Sequence, residues 1–512
     1  MKPPPRKLWI LHMPLLLVLV VWSVLFLPNL RTSPSWYGDE TLALKAGLDL
    51  THGIAAHRAI WNTFWHPYAP YQPGYEYLIG WAARLFGSDI LGGRLVNALL
   101  ALGIALLITF YGRRIFGILP ALFSALLFLT YEQTVIHFRW IFTHNLIAFG
   151  FVLSVLSLAR PAGRRNDSLA GLGLGISSAA LPLFIYGLPP AWLIRLKRPR
   201  SWFWLFLPAG IIVGLSLALG WFMHLPEQFL WQDLAATARF YAKSSGESSA
   251  TVSSVSLNIY RFFTQDGWHT AGFVMLLVCL CRRFYAIGLS GLMIAFLLVQ
   301  NRQNLHVFYY QAVIFLPLMI MAFAVTEWRI VVTLRRRGVK TRLLRTLQFA
   351  LLALPISQFV RLAPQTLSGT LKPRIQHWAT QSTSEVEQAA RWLNENTSEE
   401  DLVICNVNIA WLLKAKTADL QQATSWAGFP TWPFDTPLPR AQFRYDANIA
   451  AARFLVIGDI DRRWTLAQQN VDKMVGAIAD QEWPVVWQGP NYLIARNPKF
   501  PIIEPANPQS SN

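Results

Sequence analysis

Long apolar runs separated by short polar segments dominate the first 370 residues of the chain. They lie at about 8–30, 95–112, 118–131, 143–159, 168–182, 183–194, 202–222, 269–281, 284–300, 308–326 and 346–362. A helix needs about 20 predominantly apolar residues to cross the hydrocarbon core of a bilayer. The pattern therefore predicts an α-helical polytopic membrane protein with about eleven transmembrane helices. The two runs between 168 and 194 are the least regular, because prolines interrupt them.

The hydrophobic pattern changes after Leu371. Short apolar segments at 401–405 and 454–457 are typical of buried strands, and amphipathic stretches at 384–396 and 466–479 are typical of helices. Residues 484–495 indicate a hairpin around a Gly-Pro turn. These signals predict a membrane domain over residues 1–371, an α/β domain over 372–500 and a disordered tail at 501–512.

The composition agrees with a membrane protein, since 54% of the residues are hydrophobic and only 14% are charged. Average soluble domains carry about 25% charged residues. The net charge of +18 lies in the membrane part, which holds 32 Lys/Arg against 12 Asp/Glu, whereas residues 372–512 hold 13 against 15. Because the basic residues occupy short loops between apolar runs, they predict topology and not nucleic-acid binding.

Counting the basic residues gives an orientation. With the N-terminus inside, the inner segments carry 21 Lys/Arg in 47 residues and the outer segments carry 10 in 129. Positive charge accumulates on the cytoplasmic side of membrane proteins. We therefore predict a multi-pass cell-membrane protein with a cytoplasmic N-terminus, an extracytoplasmic C-terminal domain and a long first outer loop at about 31–94.

Acidic residues show the opposite distribution, because ten of the 12 in the membrane part lie in outer segments. Asp39 and Glu40 stand together directly after the first apolar run. A carboxylate in this position can accept the proton of an acceptor hydroxyl during group transfer. The alternative is that the two acids only stabilise the N-terminus of the following helix.

Further motifs follow these acids in a fixed order. They are Pro73-Gly-Tyr-Glu-Tyr77, Leu85-Phe-Gly87, Arg94-Leu-Val-Asn97 and Arg113-Arg-Ile-Phe-Gly117. Together with Asp39-Glu40 they resemble the GT-C superfamily of membrane glycosyltransferases that use polyprenyl-phosphate sugars. Among its members, the protein O-mannosyltransferases and lipid A aminoarabinose transferases (glycosyltransferase family 39-like) are the most similar in pattern. The resemblance covers most of residues 8–330 and the C-terminal domain.

This resemblance implies a GT-C-like fold and transfer of a sugar to an acceptor hydroxyl of a protein, lipid or glycan at the outer face. Asp39 would be the catalytic base, with Glu40 orienting it. The sequence departs from the family at Gln72-Pro73, where members usually carry two prolines. It also has no Lys in the last loop between spans, where some relatives place a phosphate ligand.

A lipid phosphate needs cations at the outer interface, because charge-assisted hydrogen bonds to phosphate are strong. The candidate substrate-binding residues are Tyr37, Arg58, Arg84, Arg139, His144, Arg302, His306, Tyr309 and Tyr310, and Arg94 is a further outer cation. Arg139 could instead snorkel at a helix end. The segment from Arg302 to Tyr310 could equally form an aromatic belt.

The expected partners are a polyprenyl-phosphate sugar donor, a hydroxyl-bearing acceptor and the lipid bilayer. We expect no cofactor, because the His, Cys and acidic residues show no spacing typical of a metal site, although a divalent metal stays open. The alternative function is a membrane transporter or a flippase for lipid-linked sugars. Such proteins carry paired ionisable residues near the bilayer midplane, and the apolar runs here hold almost none.

Overall fold

The computed structural model of the chain describes residues 6–52, 73–87, 89–180, 188–224, 252–264, 266–281, 284–300, 309–373, 380–431, 437, 439–468, 470–479 and 482–500. Before residue 372 the described chain is almost entirely helical, and the helices follow the apolar runs. The run predicted at 183–194 lies partly outside the described residues, and the tail predicted at 501–512 lies wholly outside them.

The membrane part begins with two helices on either side of a short strand. Its elements are α1 Arg6–Phe26, β1 Trp36–Tyr37, α2 Glu40–Thr51, α3 Pro73–Leu85, α4 Ile90–Leu107, α5 Arg113–Phe116, α6 Ile118–Thr130, α7 Glu132–His137, α8 Thr143–Leu158, α9 Arg164–Ala180, α10 Leu188–Arg195, α11 Pro199–His224, α12 Val252–Thr264, α13 Gly267–Cys281, α14 Tyr285–Gln300, α15 Tyr309–Arg336, α16 Thr341–Leu351 and α17 Ala353–Leu367. A π-helical turn, Ile108–Gly112, joins α4 to α5.

Three helical stretches of the described chain are long and apolar enough to cross a bilayer: Ile90–Phe116, Val313–Arg336 and Thr341–Leu367. Shorter apolar helices accompany them. Large side chains on the last stretch point outward, with Phe349 59% and Val360 65% exposed. An apolar face of this kind is stable in lipid and not in water. The chain is therefore a helical multi-pass membrane protein, and the number of about eleven crossings stays a prediction.

The core of the membrane part is built around α6, α8 and α15, whose side chains are largely buried. Small residues allow some of these helices to touch backbone to backbone. A Cβ atom at Gly173 of α9 would collide with the carbonyl oxygen of Gly150 in α8. Likewise, a Cβ atom at Gly80 of α3 would collide with the backbone of Gly47 in α2. Close contact through glycine is typical of helix pairs in membranes.

The C-terminal segment contains a five-stranded mixed sheet with strand order β4-β3-β5-β7-β6. Its elements, with the short strand before them, are β2 Thr380–Gln381, α18 Thr383–Asn396, β3 Leu402–Ile404, α19 Val407–Ala410, β4 Lys416–Ala418, α20 Leu420–Trp426, β5 Phe454–Ile457, α21 Val471–Ala479, β6 Val485–Gln488 and β7 Leu493–Arg496. β3 pairs in parallel with β4 and β5, and β7 pairs antiparallel with β5 and β6.

The C-terminal segment is bound to the segment that follows α1 in the membrane part. β1 and β2 form a two-stranded antiparallel sheet, with Trp36 opposite Gln381. The ring of Trp36 lies 5.5 Å from that of Trp411. Buried residues of α2, α3 and α4 share one hydrophobic cluster with α18, β3 and β5. The sheet and the loop therefore hold each other in place through a common core.

Several sequence expectations for the C-terminal segment change in detail. The strands at 401–405 and 454–457 and the hairpin lie where the pattern predicts them. The helix expected from residue 384 begins at Thr383, and Ser382 at its N-cap makes no capping hydrogen bond. The helix expected from residue 466 begins only at Val471, because a π-helical turn at Asp461–Thr465 precedes it. The sequence pattern did not indicate β4, which is only three residues long.

Asp419 should make the stability of the protein depend on pH. It caps α20, and its removal from solvent, with a smaller contribution from Asp461, raises its pKa to about 7. An Asp in an unfolded chain has a pKa of about 4. The stabilisation by the protonated form is therefore complete below about pH 4 and is lost as the pH rises through 7.

We expect the melting temperature of the full chain in detergent to fall between pH 5 and pH 8. Asp419→Asn should reduce this fall, since Asn caps helices almost as well as Asp. The exposed Asp446, replaced by Asn, is the control and should leave the pH dependence unchanged. An Asp419→Asn profile identical to that of the parent chain would contradict the role of this carboxyl.

The orientation of the chain can be tested by cysteine labelling. Ser384 is exposed on the C-terminal segment and Arg336 is exposed at the end of α15. With a cytoplasmic N-terminus, Ser384→Cys should react with a membrane-impermeant maleimide in intact cells, and Arg336→Cys should react only after lysis. The unsubstituted chain gives the background, because Cys279 and Cys405 are buried. Labelling of Arg336→Cys alone in intact cells would reverse the orientation.

Candidate active site

The segment between α1 and α2 is fixed by a buried arginine. Arg139 is fully buried, and its guanidinium donates hydrogen bonds to the carbonyl oxygens of Leu25 at 2.8 Å, Pro28 at 2.5 Å and Ser33 at 2.8 Å. Leu25 lies in the last turn of α1, where carbonyl groups have no donor within the helix, so the arginine supplies one. The path of the chain from α1 to β1 is thereby set by a residue of the turn between α7 and α8.

A second buried arginine fixes the start of α2. Arg94 of α4 forms a two-pronged ion pair with Glu40, with Nε 2.9 Å from Oε1 and Nη2 2.7 Å from Oε2. Both side chains are 0% exposed. The carboxylate also accepts hydrogen bonds from the backbone N–H of Tyr37 and of Ile141, each at 3.0 Å. Glu40 therefore joins the outer loop, α4 and the segment before α8 at one buried point.

Asp39 precedes Glu40 in the sequence, but it is exposed whereas Glu40 is buried. The backbone of Asp39 is helical, with φ −77° and ψ −13°. N-cap residues usually adopt an extended backbone and accept a hydrogen bond from the first turn. The Asp39 side chain makes no capping hydrogen bond to α2. The carboxylate is thus exposed at the N-terminus of α2 and makes no capping hydrogen bond there.

Aromatic rings form a wall behind Asp39. Tyr37 is 8% exposed, and its ring lies 5.1 Å from Trp140 and 5.2 Å from Phe142. His137 packs edge-on against Trp140 at 5.3 Å. Burial, and to a lesser extent the charge of Asp39, raise the pKa of Tyr37, so its hydroxyl stays protonated. Burial lowers the pKa of His137 to about 3, so this ring is neutral and is no cation for a phosphate.

A buried network of polar side chains is hydrogen-bonded to the backbone of the aromatic wall at His137. Asn97 of α4 accepts hydrogen bonds from the hydroxyl of Tyr75 at 3.1 Å and from the amide of Asn145 at 2.8 Å. Asn145 also donates to the carbonyl oxygen of His137 at 2.9 Å. All of these polar side chains are buried, so their alignment depends on each other. The network links α3, α4 and α8 to each other next to the aromatic wall.

The C-terminal sheet closes the other side of the loop. A side chain at Gly38 would lie 3.5 Å from Cδ1 of Ile460, which follows β5. The hydroxyl of Thr41 donates to the carbonyl oxygen of Val407, which follows β3, at 3.2 Å. The carboxyl ends of two parallel strands therefore face the residues on either side of Asp39. Open α/β sheets bind ligands at such an edge.

The other predicted site residues that the structure describes are Arg84, Arg139 and His144, and their contacts differ. Arg84 lies at the end of α3, donates to the carbonyl oxygen of Thr51 at 2.6 Å and stacks on Trp81. Thr51 ends α2, about 16 Å along the helix from Glu40. Arg139 holds three carbonyl groups and does not snorkel, and His144 is half-buried in the first turn of α8.

The remaining predicted ligands lie wholly or partly outside the described residues. Arg58, Arg302 and His306 lie outside the described residues, and Tyr309 and Tyr310 begin α15 with side chains outside them. Within the described chain, no three His, Cys, Asp or Glu side chains lie close enough together to hold a metal ion. Asn97 and Tyr75 belong to motifs quoted from the sequence, but the sequence analysis assigned no role to them or to Asn145, although an Asn within an otherwise apolar helix is a usable signal.

Comparison with known proteins links this geometry to a fold. No family model matches the sequence, and neither does any curated protein. ArnT from Cupriavidus metallidurans bound to undecaprenyl phosphate is similar in structure, with a TM-score of 0.61 and 14% identity over 98% of this chain and 99% of that chain. Its apo state gives a TM-score of 0.58 at 12% identity over 96% and 98%.

An oligosaccharyltransferase from Archaeoglobus fulgidus, tethered with an acceptor peptide, is also similar. Its TM-score is 0.52 at 13% identity, covering 89% of this chain and 70% of that chain. At such low identity the likeness shows the fold alone. The predicted GT-C fold is confirmed.

Proposed function

Because the chain has the GT-C fold, we propose that it is a membrane glycosyltransferase that moves a sugar from a polyprenyl-phosphate donor to an acceptor hydroxyl at the outer face. The observation that carries the proposal is the contrast between two adjacent acids. Glu40 is buried and bonded to Arg94 and two backbone amides, whereas Asp39 is exposed and makes no capping hydrogen bond. The first carboxylate is thus enclosed by protein, and the second is accessible from solvent.

In the proposed reaction Asp39 takes the proton of the acceptor hydroxyl. The acceptor oxygen then attacks the anomeric carbon of the sugar, the bond from that carbon to the phosphate oxygen breaks, and polyprenyl phosphate leaves with the bonding electrons. Glu40 is a positioning residue in this scheme, because its carboxylate is enclosed and faces Arg94. The edge of the C-terminal sheet borders the space where the acceptor would approach.

The leaving phosphate needs a cation. Arg139 and Arg94 donate to protein oxygens, and Arg84 lies at the far end of α2. We therefore assign the phosphate to the remaining outer candidates, Arg58 and Arg302, with Tyr309 and Tyr310 nearby in sequence. ArnT, which has the same fold, is known bound to undecaprenyl phosphate, and this supports a donor of the same class.

The proposal is tested by incubating the purified protein in detergent with synthetic polyprenyl phosphates that carry different labelled sugars, together with envelope extract as acceptor. We expect labelled sugar to appear on an acceptor, with one polyprenyl phosphate released for each sugar transferred. Movement of the intact lipid-linked sugar across a reconstituted bilayer, without cleavage of the sugar–phosphate bond, would instead indicate a flippase.

A further inference from the structure

A basic cleft lies at the opposite end of the bundle from Asp39. α8 begins one residue after Phe142 of the aromatic wall and runs for 16 residues to Leu158. At 1.5 Å per residue, its far end is about 24 Å away. The cleft opens there, between the chain after α8, the end of α10 and the start of α14. Its volume is about 570 Å³.

Four cations line this cleft: Arg160, Arg195, Lys197 and Arg198. Arg195 is 6% exposed and is held by Asp167 at 2.8 Å and by the carbonyl oxygen of Arg160 at 3.1 Å. Within the described chain, Arg160, Lys197 and Arg198 have no carboxylate within ion-pair distance. Arg195 is therefore held in place at the base of the cleft. The other three cations give the cleft an excess of positive charge.

The same cleft has an apolar wall that faces outward. Leu193 is 52% exposed and Leu196 is 43% exposed, and both line the cleft with the cations. Long basic side chains hold a charged head at the polar interface beside apolar surface, so an exposed leucine next to them suits an acyl chain and the cation suits a polar head group. A free inorganic anion could bind to the cations, but it would make no favourable contact with the apolar wall.

We propose that this cleft binds an anionic glycerophospholipid, of the phosphatidylglycerol class, from the leaflet opposite the Asp39 site. Its phosphodiester would accept charge-assisted hydrogen bonds from Lys197 and Arg198, and its acyl chains would lie along Leu193 and Leu196. Under the positive-inside orientation this is the cytoplasmic leaflet, where basic pockets between helices bind anionic head groups. The site is separate from the proposed sugar transfer and does not depend on it.

The test compares the full chain in nanodiscs of pure phosphatidylcholine with nanodiscs that contain one-fifth phosphatidylglycerol. The cleft variant is Lys197→Gln combined with Arg198→Gln. Its matched control is Arg335→Gln with Arg336→Gln, which removes the same charge from exposed positions at the end of α15. The readouts are the melting temperature and the number of phosphatidylglycerol molecules retained in native mass spectrometry.

We expect phosphatidylglycerol to raise the melting temperature of the parent chain and of the control. The cleft variant should lose this increase and should retain the lipid less well, by roughly fivefold for each cation removed. An equal loss in both variants would show a general surface-charge effect and would overturn the proposal. So would inorganic phosphate in neutral detergent, if it reproduced the stabilisation at the same concentration.

Discussion

Asp39→Asn is expected to lower the rate of sugar transfer by about 10²–10⁴-fold, which is the usual loss when a general base is removed. The substitution keeps the size and polarity of the side chain and removes only its basicity. Folding should be unaffected, because Asp39 is exposed and makes no capping hydrogen bond to α2. Donor binding, measured with a labelled polyprenyl phosphate, should also stay near the level of the parent chain.

Asp89→Asn is the matched control for this variant. Asp89 lies in the same outer loop, but its carboxylate accepts a hydrogen bond from the N–H of Ile90 and caps α4. Since Asn caps a helix almost as well and the half-exposed ion pair of Asp89 with Arg31 contributes little, transfer by Asp89→Asn should stay near normal. Near-normal transfer by Asp39→Asn, with the same thermal stability as the parent chain, would remove Asp39 from the mechanism.

Arg94→Met is expected to destabilise the protein by about 3–5 kcal/mol, the usual consequence of leaving one partner of a buried ion pair without its counterion. Glu40 would then be a buried charge that keeps only the N–H groups of Tyr37 and Ile141 as partners. Because these contacts hold the segment before Asp39, transfer activity should fall together with stability. Thermal unfolding in detergent and the transfer assay measure the two effects on the same sample.

Two further variants separate stability from positioning. Arg31→Met breaks a half-exposed pair with Asp89 and Glu387 and should cost about 1 kcal/mol or less. Glu40→Gln combined with Arg94→Met removes both buried charges and should recover much of the lost stability. We expect the double variant to stay poorly active, because the loop loses its fixed attachment to α4. Full recovery of transfer would show that the pair contributes only to folding.

The sequence determined those features that depend on local composition. Three apolar stretches of the described chain are long enough to cross a bilayer, and these helices follow from hydropathy. The strand at 454–457 follows from an apolar segment bounded by polar residues. Asp39 became a candidate because few acids occur in the membrane part and because it lies in the first segment after α1.

The tertiary structure alone decided how each charged residue is used. Asp39 and Glu40 are neighbours of the same charge, and nothing local distinguishes the exposed acid from the buried one. The distinction comes from Arg94, which lies 54 positions after Glu40 in the chain and forms a two-pronged ion pair with it. Arg139 is similar, since its carbonyl partners lie more than 100 residues earlier in the chain. Local patterns determine where helices form. The partner of a buried charge depends on which helices pack together, and the hydropathy of the sequence does not specify this packing.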